Sequence, residues 1–468
     1  MIPLTTAPMN TQVQNSTNAP SAQPTQPFQL RAYQWEGIYF LRDRQRAMLC
    51  DEPRLGKTVQ AVFATEVPAL IVAPGYLLWQ WHDFLVQCGI RQDRIALCIG
   101  THDEKQAQLD RPADWYICNI EMLRKHPQGP YTKTGAQRTK PAPRNFRFQI
   151  PRTFIVDESH HLRGRNSLQS QGAQELAIAS GRNGFTAAER VYLLTGTPVY
   201  NKPDDLFAQL RLLDPKRFSS YHAFTKEYCN VVDLGFGPRV VGVSPNHPNA
   251  ANFYKPLRDV FNSYSLTRTQ EGVGLQLSPL TEQVLRVPSS AGFQKDYQKL
   301  RHQYIDPDGM QMESLMEAMH ALRRLTFTMK IEPLLQLLVD GNALHHTVIF
   351  TEYKSTAKAV ANMLDFTLIT GDEPAIERPL LAKHSDHIVA TTKALTEGID
   401  LSHIRNVVFL EHDHVPGRTY QALSRNALCP HPRHVYHIVV KDTIDETILK
   451  ANKERAMTIK QIVQEALL

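Results

Sequence analysis

The sequence predicts an α/β protein made of two parallel-sheet lobes in tandem, with a helical insertion between them. Short apolar runs rich in β-branched residues recur at Ala69–Ala73, Thr153–Val156, Val191–Leu194, Thr347–Phe350, His387–Ala390, Asn406–Leu410 and His434–Val440. Most have the length and unbroken apolar character of strands buried on both faces. Stretches with helical spacing lie between many of them, and that alternation argues for parallel sheets covered by helices. The runs also fall into two groups, 69–194 and 347–440, one for each lobe.

The boundaries follow from composition. Residues 1–27 carry no charge and are rich in Thr, Pro, Asn, Gln and Ser. Such a stretch cannot bury enough surface to offset its ordering entropy, so a disordered tail is expected. It also lacks the basic start and apolar centre of a secretory signal. The first lobe is expected over 28–215, the helical insertion and linker over 216–340, and the second lobe over 341–468. Within the insertion, Ser314–Leu325 sets Leu315, Met319 and Leu322 along one helical stripe, with Met316 beside it. These are read as core packing.

A chain of 468 residues is long enough for two or three domains with cores of ordinary size. Its 42% hydrophobic and 21% charged residues fit a soluble globular protein. No apolar run approaches the ~18 residues of a membrane span, so no membrane partner is expected. The six cysteines, Cys50, Cys88, Cys98, Cys118, Cys229 and Cys429, have no paired spacing. That argues against a zinc site and a disulfide framework, and an intracellular, reducing setting is expected. The net charge of +6 permits a polyanionic partner without demanding one.

Asp51–Thr58 reads DEPRLGKT and runs into VQAVFA, the start of a helix. A Gly-Lys-Thr at a helix entrance turns backbone N–H groups toward phosphates. Gly56 opens the turn, Lys57 would neutralise the β and γ phosphates, and the Thr58 hydroxyl would hold Mg²⁺. The usual phosphate loop has glycine where Asp51 stands, so this segment alone does not decide the matter. The second half of the site does. Phe154–His160 reads FIVDESH, an apolar strand ending in Asp157 and Glu158. One carboxylate at a strand end can hold Mg²⁺, and its neighbour can orient or deprotonate water. The pair follows the GKT by about a hundred residues in a strand–helix chain, which points to a nucleoside triphosphatase.

Several segments, in order, resemble the Swi/Snf-type ATPases of helicase superfamily two. LRAYQWEG (30–37) resembles the entry motif, whose glutamine, here Gln34, reads adenine. DEPRLGKT resembles the family's DEMGLGKT, with Arg54 replacing the inner glycine. LIVAPGYLLWQW (70–81), YICNIEML (116–123), DESHHLRGRNS (157–167) and LLTGTPVYN (193–201) are similar to the later motifs of the first lobe. LTRTQEGVGLQLSPLTEQVLRV (266–287) and ALRRL (321–325) resemble the middle of the family. VIFTEYKSTAKAV, TTKALTEGIDLS (391–402) and PGRTYQALSR (416–425) resemble its second lobe.

The resemblance covers about residues 28 to 450. It implies two RecA-like lobes that close on ATP and Mg²⁺ and move along duplex DNA without full strand separation. It places Gln34, Gly56, Lys57, Thr58, Gly398 and Asp400 at the nucleotide, Thr58 and Asp157 at the metal, and Lys57, Asp157, Glu158 and Arg425 in catalysis.

Two departures stand out. Leu395 and Thr396 replace paired glycines, and Gly398 with Asp400 makes a GID more like DEAD-box helicases. In the last motif Arg425 fills the first arginine position, but Leu428 fills the second and Pro430 the following glycine. An ATP-gated DNA clamp with weak or lost hydrolysis, or an RNA helicase of the same superfamily, are the alternatives these departures raise. With Leu428 in the second position, Arg425 is expected to be the operative arginine, with Arg433 its rival.

The basic segment 131–152 holds Lys133, Arg138, Lys140, Arg144, Arg147 and Arg152 and no acid. It reads either as a solvated loop or as a phosphate contact. Arg163, Arg165, Thr392 and Lys393 are further nucleic-acid candidates.

Overall fold

The computed structural model describes residues 29–126, 144–178, 187–233, 237–244, 254–304, 312–340, 345–374, 377–395 and 399–463. The tail at 1–27, Lys133, Arg138, Lys140, Thr396 and Gly398 lie outside the described residues.

The chain begins α1 (Ala32–Arg44), β1 (Arg46–Leu49), α2 (Lys57–Ala64), β2 (Ala69–Ala73), α3 (Leu78–Gln87) and β3 (Ile95–Leu97). It continues α4 (His102–Asp110), β4 (Trp115–Asn119), β5 (Thr153–Asp157), α5 (Leu168–Ala177), β6 (Arg190–Leu194) and α6 (Asp205–Leu213). Next come α7 (Tyr221–Tyr228), β7 (Cys229–Asp233), β8 (Pro238–Val243), α8 (Lys255–Tyr264) and β9 (Ser265–Leu266). One sheet takes the order β3-β4-β2-β5-β6-β1-β9, parallel throughout.

The second lobe starts with β10 (Leu280–Val287), α9 (Ala291–Tyr304), α10 (Met312–Asp340), β11 (Thr347–Thr351), α11 (Lys354–Leu364) and β12 (Thr367–Ile369). There follow α12 (Arg378–Lys383), β13 (His387–Thr391), α13 (Thr392–Leu395), β14 (Asn406–Phe409) and α14 (Pro416–Ser424). The described chain closes on β15 (Arg433–Val440) and α15 (Ile444–Val463). Its sheet, order β10-β15-β14-β11-β13-β12, is also parallel.

Alternate residues of one strand enter different cores. Leu70, Val72, Phe154, Val156, Val191 and Leu193 bury on one face of the first sheet. Their sequence neighbours Ala69, Ile71, Ala73, Ile155, Tyr192 and Leu194 bury on the other. In the second sheet Ile349, Val389 and Val408 face one core, and Val348, Phe350, Ile388, Val407 and Phe409 the opposite one. With helices on both faces, every strand position must be apolar, which is why the runs do not alternate.

The stretch 216–340 supplies the four helices α7 to α10, and it does more. It holds the antiparallel hairpin β7–β8, and it lends a strand to each sheet: β9 beside β1, and β10 paired over its whole length with β15. On α10, Leu322 is buried and Met319 half-buried, while the side chains of Leu315 and Met316 lie outside the described residues. Helix α15 leaves the second lobe and inserts Ile462 into the first lobe's core, which also holds Leu257, Val260 and Phe261 of α8.

In parallel sheets the loops after the strands share one edge. Because β5, β6 and β1 are neighbours, the GKT loop, the acidic pair and the TGTP turn emerge side by side there.

Candidate active site

The loop between β1 and α2 is braced from outside. Gly56, the residue before α2, has φ +77°, and a Cβ there would lie 2.5 Å from Gln34 Nε2. Gln34 itself caps the start of α1, accepting from Arg31 N at 3.0 Å, and its Nε2 lies 3.5 Å from Leu55 O. Asp51 is fully buried and meets Arg268 in a fork: Nε donates to Oδ1 at 2.9 Å and Nη2 to Oδ2 at 2.6 Å. Gln60 Nε2 adds a bond of 3.1 Å to Oδ2. Arg268 also donates to Tyr33 O and to Gln60 Oε1.

Backbone bonds follow the same path. Cys50 N donates to Leu266 O at 2.8 Å and Glu52 N to Arg268 O at 2.9 Å. Gln270 N donates to Glu52 Oε2 and Gln270 Nε2 to Pro53 O, both at 2.7 Å. A carboxylate therefore stands where other phosphate loops have glycine because an arginine 217 residues away anchors it. Lys57 Nζ rests on the carbonyls of Asp51 (2.7 Å) and Glu52 (3.3 Å).

At the end of β5, Asp157 accepts from Trp81 Nε1 at 2.9 Å through one oxygen and from Glu158 N at 2.9 Å through the other. Burial first, and then the neighbouring Glu158 charge, raise its pKa to about 6. Burial acts on Glu158 in the same sense, but the bond to His160 and the charges of His160, Arg425 and Lys57 outweigh it and hold Glu158 low.

His160 connects this acid to both lobes. Its Nδ1 lies 3.3 Å from Glu158 Oε2 and 3.2 Å from Thr195 Oγ1, and its ring stacks on Tyr200 with centroids 4.7 Å apart. Gln421 of the second lobe places Nε2 3.4 Å from both His160 Nε2 and Thr197 Oγ1. Gly417 brings the lobes into backbone contact, its N donating to Tyr200 O at 3.2 Å. A Cβ at Gly417 would fall 2.7 Å from that oxygen.

Between the lobes lies a cavity of about 850 Å³. Gly56, Lys57, Thr58, Asp157 and Glu158 line it from the first lobe, Asp400 and Arg425 from the second. Gln34 sits behind Gly56, and Gly398 lies outside the described residues. Arg425 stands just past α14. Its rival Arg433 is buried on β15, with Nη2 3.3 Å from Ser278 O and no part in the cavity wall. Leu428 is 45% exposed and also off the wall.

Sequence reasoning missed Trp81, Arg268, Gln421 and the place of Arg54 on the cavity wall. Trp81, Arg268 and Gln421 stand inside segments that resemble family motifs, which was the available signal.

The described arginines of the basic segment are paired on the first lobe: Arg144 with Asp103 (2.9 Å), Arg147 with Asp110 (3.4 Å), Arg152 with Glu66 and Glu189 (2.7 and 3.0 Å). Arg152 precedes β5, so it lies at the strand ends opposite the cavity. Arg163 donates to His160 O at 3.0 Å and covers the Tyr200 ring, while Arg165 covers Tyr221. Thr392 Oγ1 donates to Thr351 O at 3.2 Å, and Lys393 is exposed. Among the described residues no group of three or more His, Cys, Asp or Glu is arranged to hold a metal, and no helix is long and apolar enough to cross a membrane. All six cysteines are buried and unbridged.

The chain is similar to the human DNA annealing helicase and endonuclease ZRANB3, 26% identical over 85% of this chain and 37% of that protein. It is 25% identical to the Caenorhabditis elegans homolog of SWI/SNF-related matrix-associated actin-dependent regulator of chromatin subfamily A-like protein 1, over 92% of this chain and 61% of that one. The chain thus spans 37% and 61% of the lengths of these two relatives, less than two thirds of each. The Sulfolobus solfataricus SWI2/SNF2 ATPase core in complex with dsDNA aligns over 96% of this chain and 99% of that one at 15% identity, with a TM-score of 0.40. The SNF2-related domain family matches residues 33–333, and the chain belongs to that family.

Proposed function

We propose that this chain is an ATP hydrolase, stimulated by duplex DNA, that uses the closing and opening of its lobes to move along or remodel the duplex. One observation carries the reading: the phosphate loop, the acidic pair and an arginine of the second lobe wall the same interlobe cavity. The family relatives, a DNA annealing helicase among them, support the choice of DNA.

Each residue has a role its surroundings suit. The α2 N-terminus offers unpaired backbone N–H groups to the phosphates. Lys57 can swing from the loop carbonyls to the β and γ phosphates. Gln34, next to Gly56, reads the adenine edge, and Asp400 closes on the nucleotide from the second lobe. Thr58 and Asp157, both on the cavity wall, would hold Mg²⁺, because a buried carboxyl of raised pKa would be returned to its charged form by a cation beside it. Bound there, the ion neutralises charge on the phosphates. Glu158 stays ionised and orients or deprotonates the attacking water. Arg425 stabilises charge as it builds on the transferring group. The His160–Thr197–Gln421 contacts let the state of the acidic pair bias how the lobes sit, which is how hydrolysis would drive a step.

A DNA clamp with weak or lost hydrolysis is the second reading, favoured by Leu428 lying off the wall. Triplex displacement tests the motion. ATP should release a third strand from a duplex flank, and Glu158→Gln should not. DNA binding with no ATP-dependent displacement would leave the clamp.

A further inference from the structure

Resting on the proposed nucleotide reading, we infer that Arg54 is a third phosphate-binding cation of this site, supplied from within the phosphate loop itself. Arg54 lies between Pro53 and Leu55 on the cavity wall. Its φ is +70°, a left-handed angle that glycine adopts freely and that costs any side chain. Arginine stands where glycine would be easier, and strain of this kind clusters at ligand clamps and active sites.

The guanidinium is aimed at the cleft. Nη2 donates to Asp400 Oδ1 of the second lobe at 2.6 Å, and the two side chains are 33% and 58% exposed. A half-exposed pair of this kind is weakly held and readily exchanged. A polyphosphate entering the cavity presents several anionic oxygens in a geometry that matches the guanidinium fork better than one solvated carboxylate.

Charge balance favours such an exchange. The wall carries four carboxylates (Asp83, Asp157, Glu158 and Asp400) against the three cations Arg54, Lys57 and Arg425. Without Arg54 two cationic side chains would face four acids, leaving Mg²⁺ alone to offset the difference before a triphosphate adds its own charge. The second lobe gives the cavity one arginine only among the described residues, since Leu428 and Arg433 are off the wall. A cation from the loop offsets that lack. It also ties nucleotide entry to the lobes, because phosphate binding takes Arg54 away from Asp400.

The test compares Arg54→Gly and Arg54→Lys with wild type, in ATP binding measured by calorimetry and in DNA-stimulated phosphate release. Arg54→Gly should fold at least as well, since it relieves the backbone angle, yet weaken ATP binding at least tenfold and lower turnover at least tenfold. Arg54→Lys should recover most of the binding loss. Binding and turnover of Arg54→Gly within threefold of wild type would overturn the inference. So would recovery of wild-type turnover in the charge-swapped Arg54→Asp/Asp400→Arg protein, which would make the interlobe pair itself the function. If wild type binds ATP but never turns it over, hydrolysis fails as a reading and the binding arm alone judges Arg54. If it binds no ATP, both fall.

Discussion

Removing Arg268 should unfold the first lobe early, and the size of the effect can be worked out from its surroundings. Asp51 is fully buried, and Arg268, 11% exposed at its side chain, supplies two of the three hydrogen bonds its carboxylate receives. Arg268→Met keeps much of the volume and strands that carboxylate with Gln60 alone. Breaking one side of a buried pair costs about 3–5 kcal/mol. With a urea slope near ~3 kcal/mol per molar, the midpoint should fall by roughly 1–1.7 M. The chain's four tryptophans, Trp35, Trp79, Trp81 and Trp115, all lie in the first lobe, so intrinsic fluorescence reports its unfolding directly. Adding Asp51→Asn should recover at least half the loss, because no buried charge is then left unpaired. A single-variant cost under ~1 kcal/mol, or losses that simply add in the double variant, would refute the lock between the loop and the segment after β9.

Three further outcomes follow from the site. Arg425→Ala should lower DNA-stimulated turnover more than a hundredfold, a floor set below the roughly 10³–10⁵ an arginine at a transferring phosphoryl group can supply; Arg433→Ala should chiefly lower the melting temperature, and the reverse pattern would overturn the assignment. Burial and the Glu158 charge raise the Asp157 pKa to about 6, so of the pair Asp157 gains its proton first as pH falls, while His160, Arg425 and Lys57 keep Glu158 charged. Turnover at fixed low Mg²⁺ should therefore fall up to tenfold per unit as pH drops below about 6, and added Mg²⁺ should restore it; a flat profile from pH 5 to 7 would contradict the Mg²⁺ role. Gln421→Ala removes the second-lobe contact to His160 and Thr197, and should cut the ratio of rates with and without duplex about tenfold.

How much of this was legible in the sequence depends on the range of each interaction. Strands such as Ala69–Ala73 and Thr347–Thr351 announce themselves because burial on both faces demands a continuous apolar run. Strand β10, LTEQVLRV, does not. It is a sheet edge exposed over much of its length, so its residues are not held to that rule, and only its pairing with β15 defines it. The GKT loop and the acidic pair were visible as local chemistry. Their partners were not: Arg268 reaches Asp51 across 217 residues and Trp81 reaches Asp157 across 76, and such pairings leave no periodicity. Of the two rivals for the last motif, the letters favoured Arg425, which fills the family's first arginine position. The two part company because β15 carries Arg433 into the sheet, while Arg425 stays at the exit of α14 on the cavity wall.

The most direct test is phosphate release from ATP with and without duplex DNA, run on the wild-type chain beside Lys57→Ala. Duplex DNA should raise the wild-type rate several-fold or more, single-stranded RNA should not, and Lys57→Ala should stay at background under every condition, because its amine is the loop's cation for the transferred phosphates. A Lys57→Ala protein that hydrolyses ATP at the wild-type rate, or a wild-type rate indifferent to duplex DNA, would contradict the account.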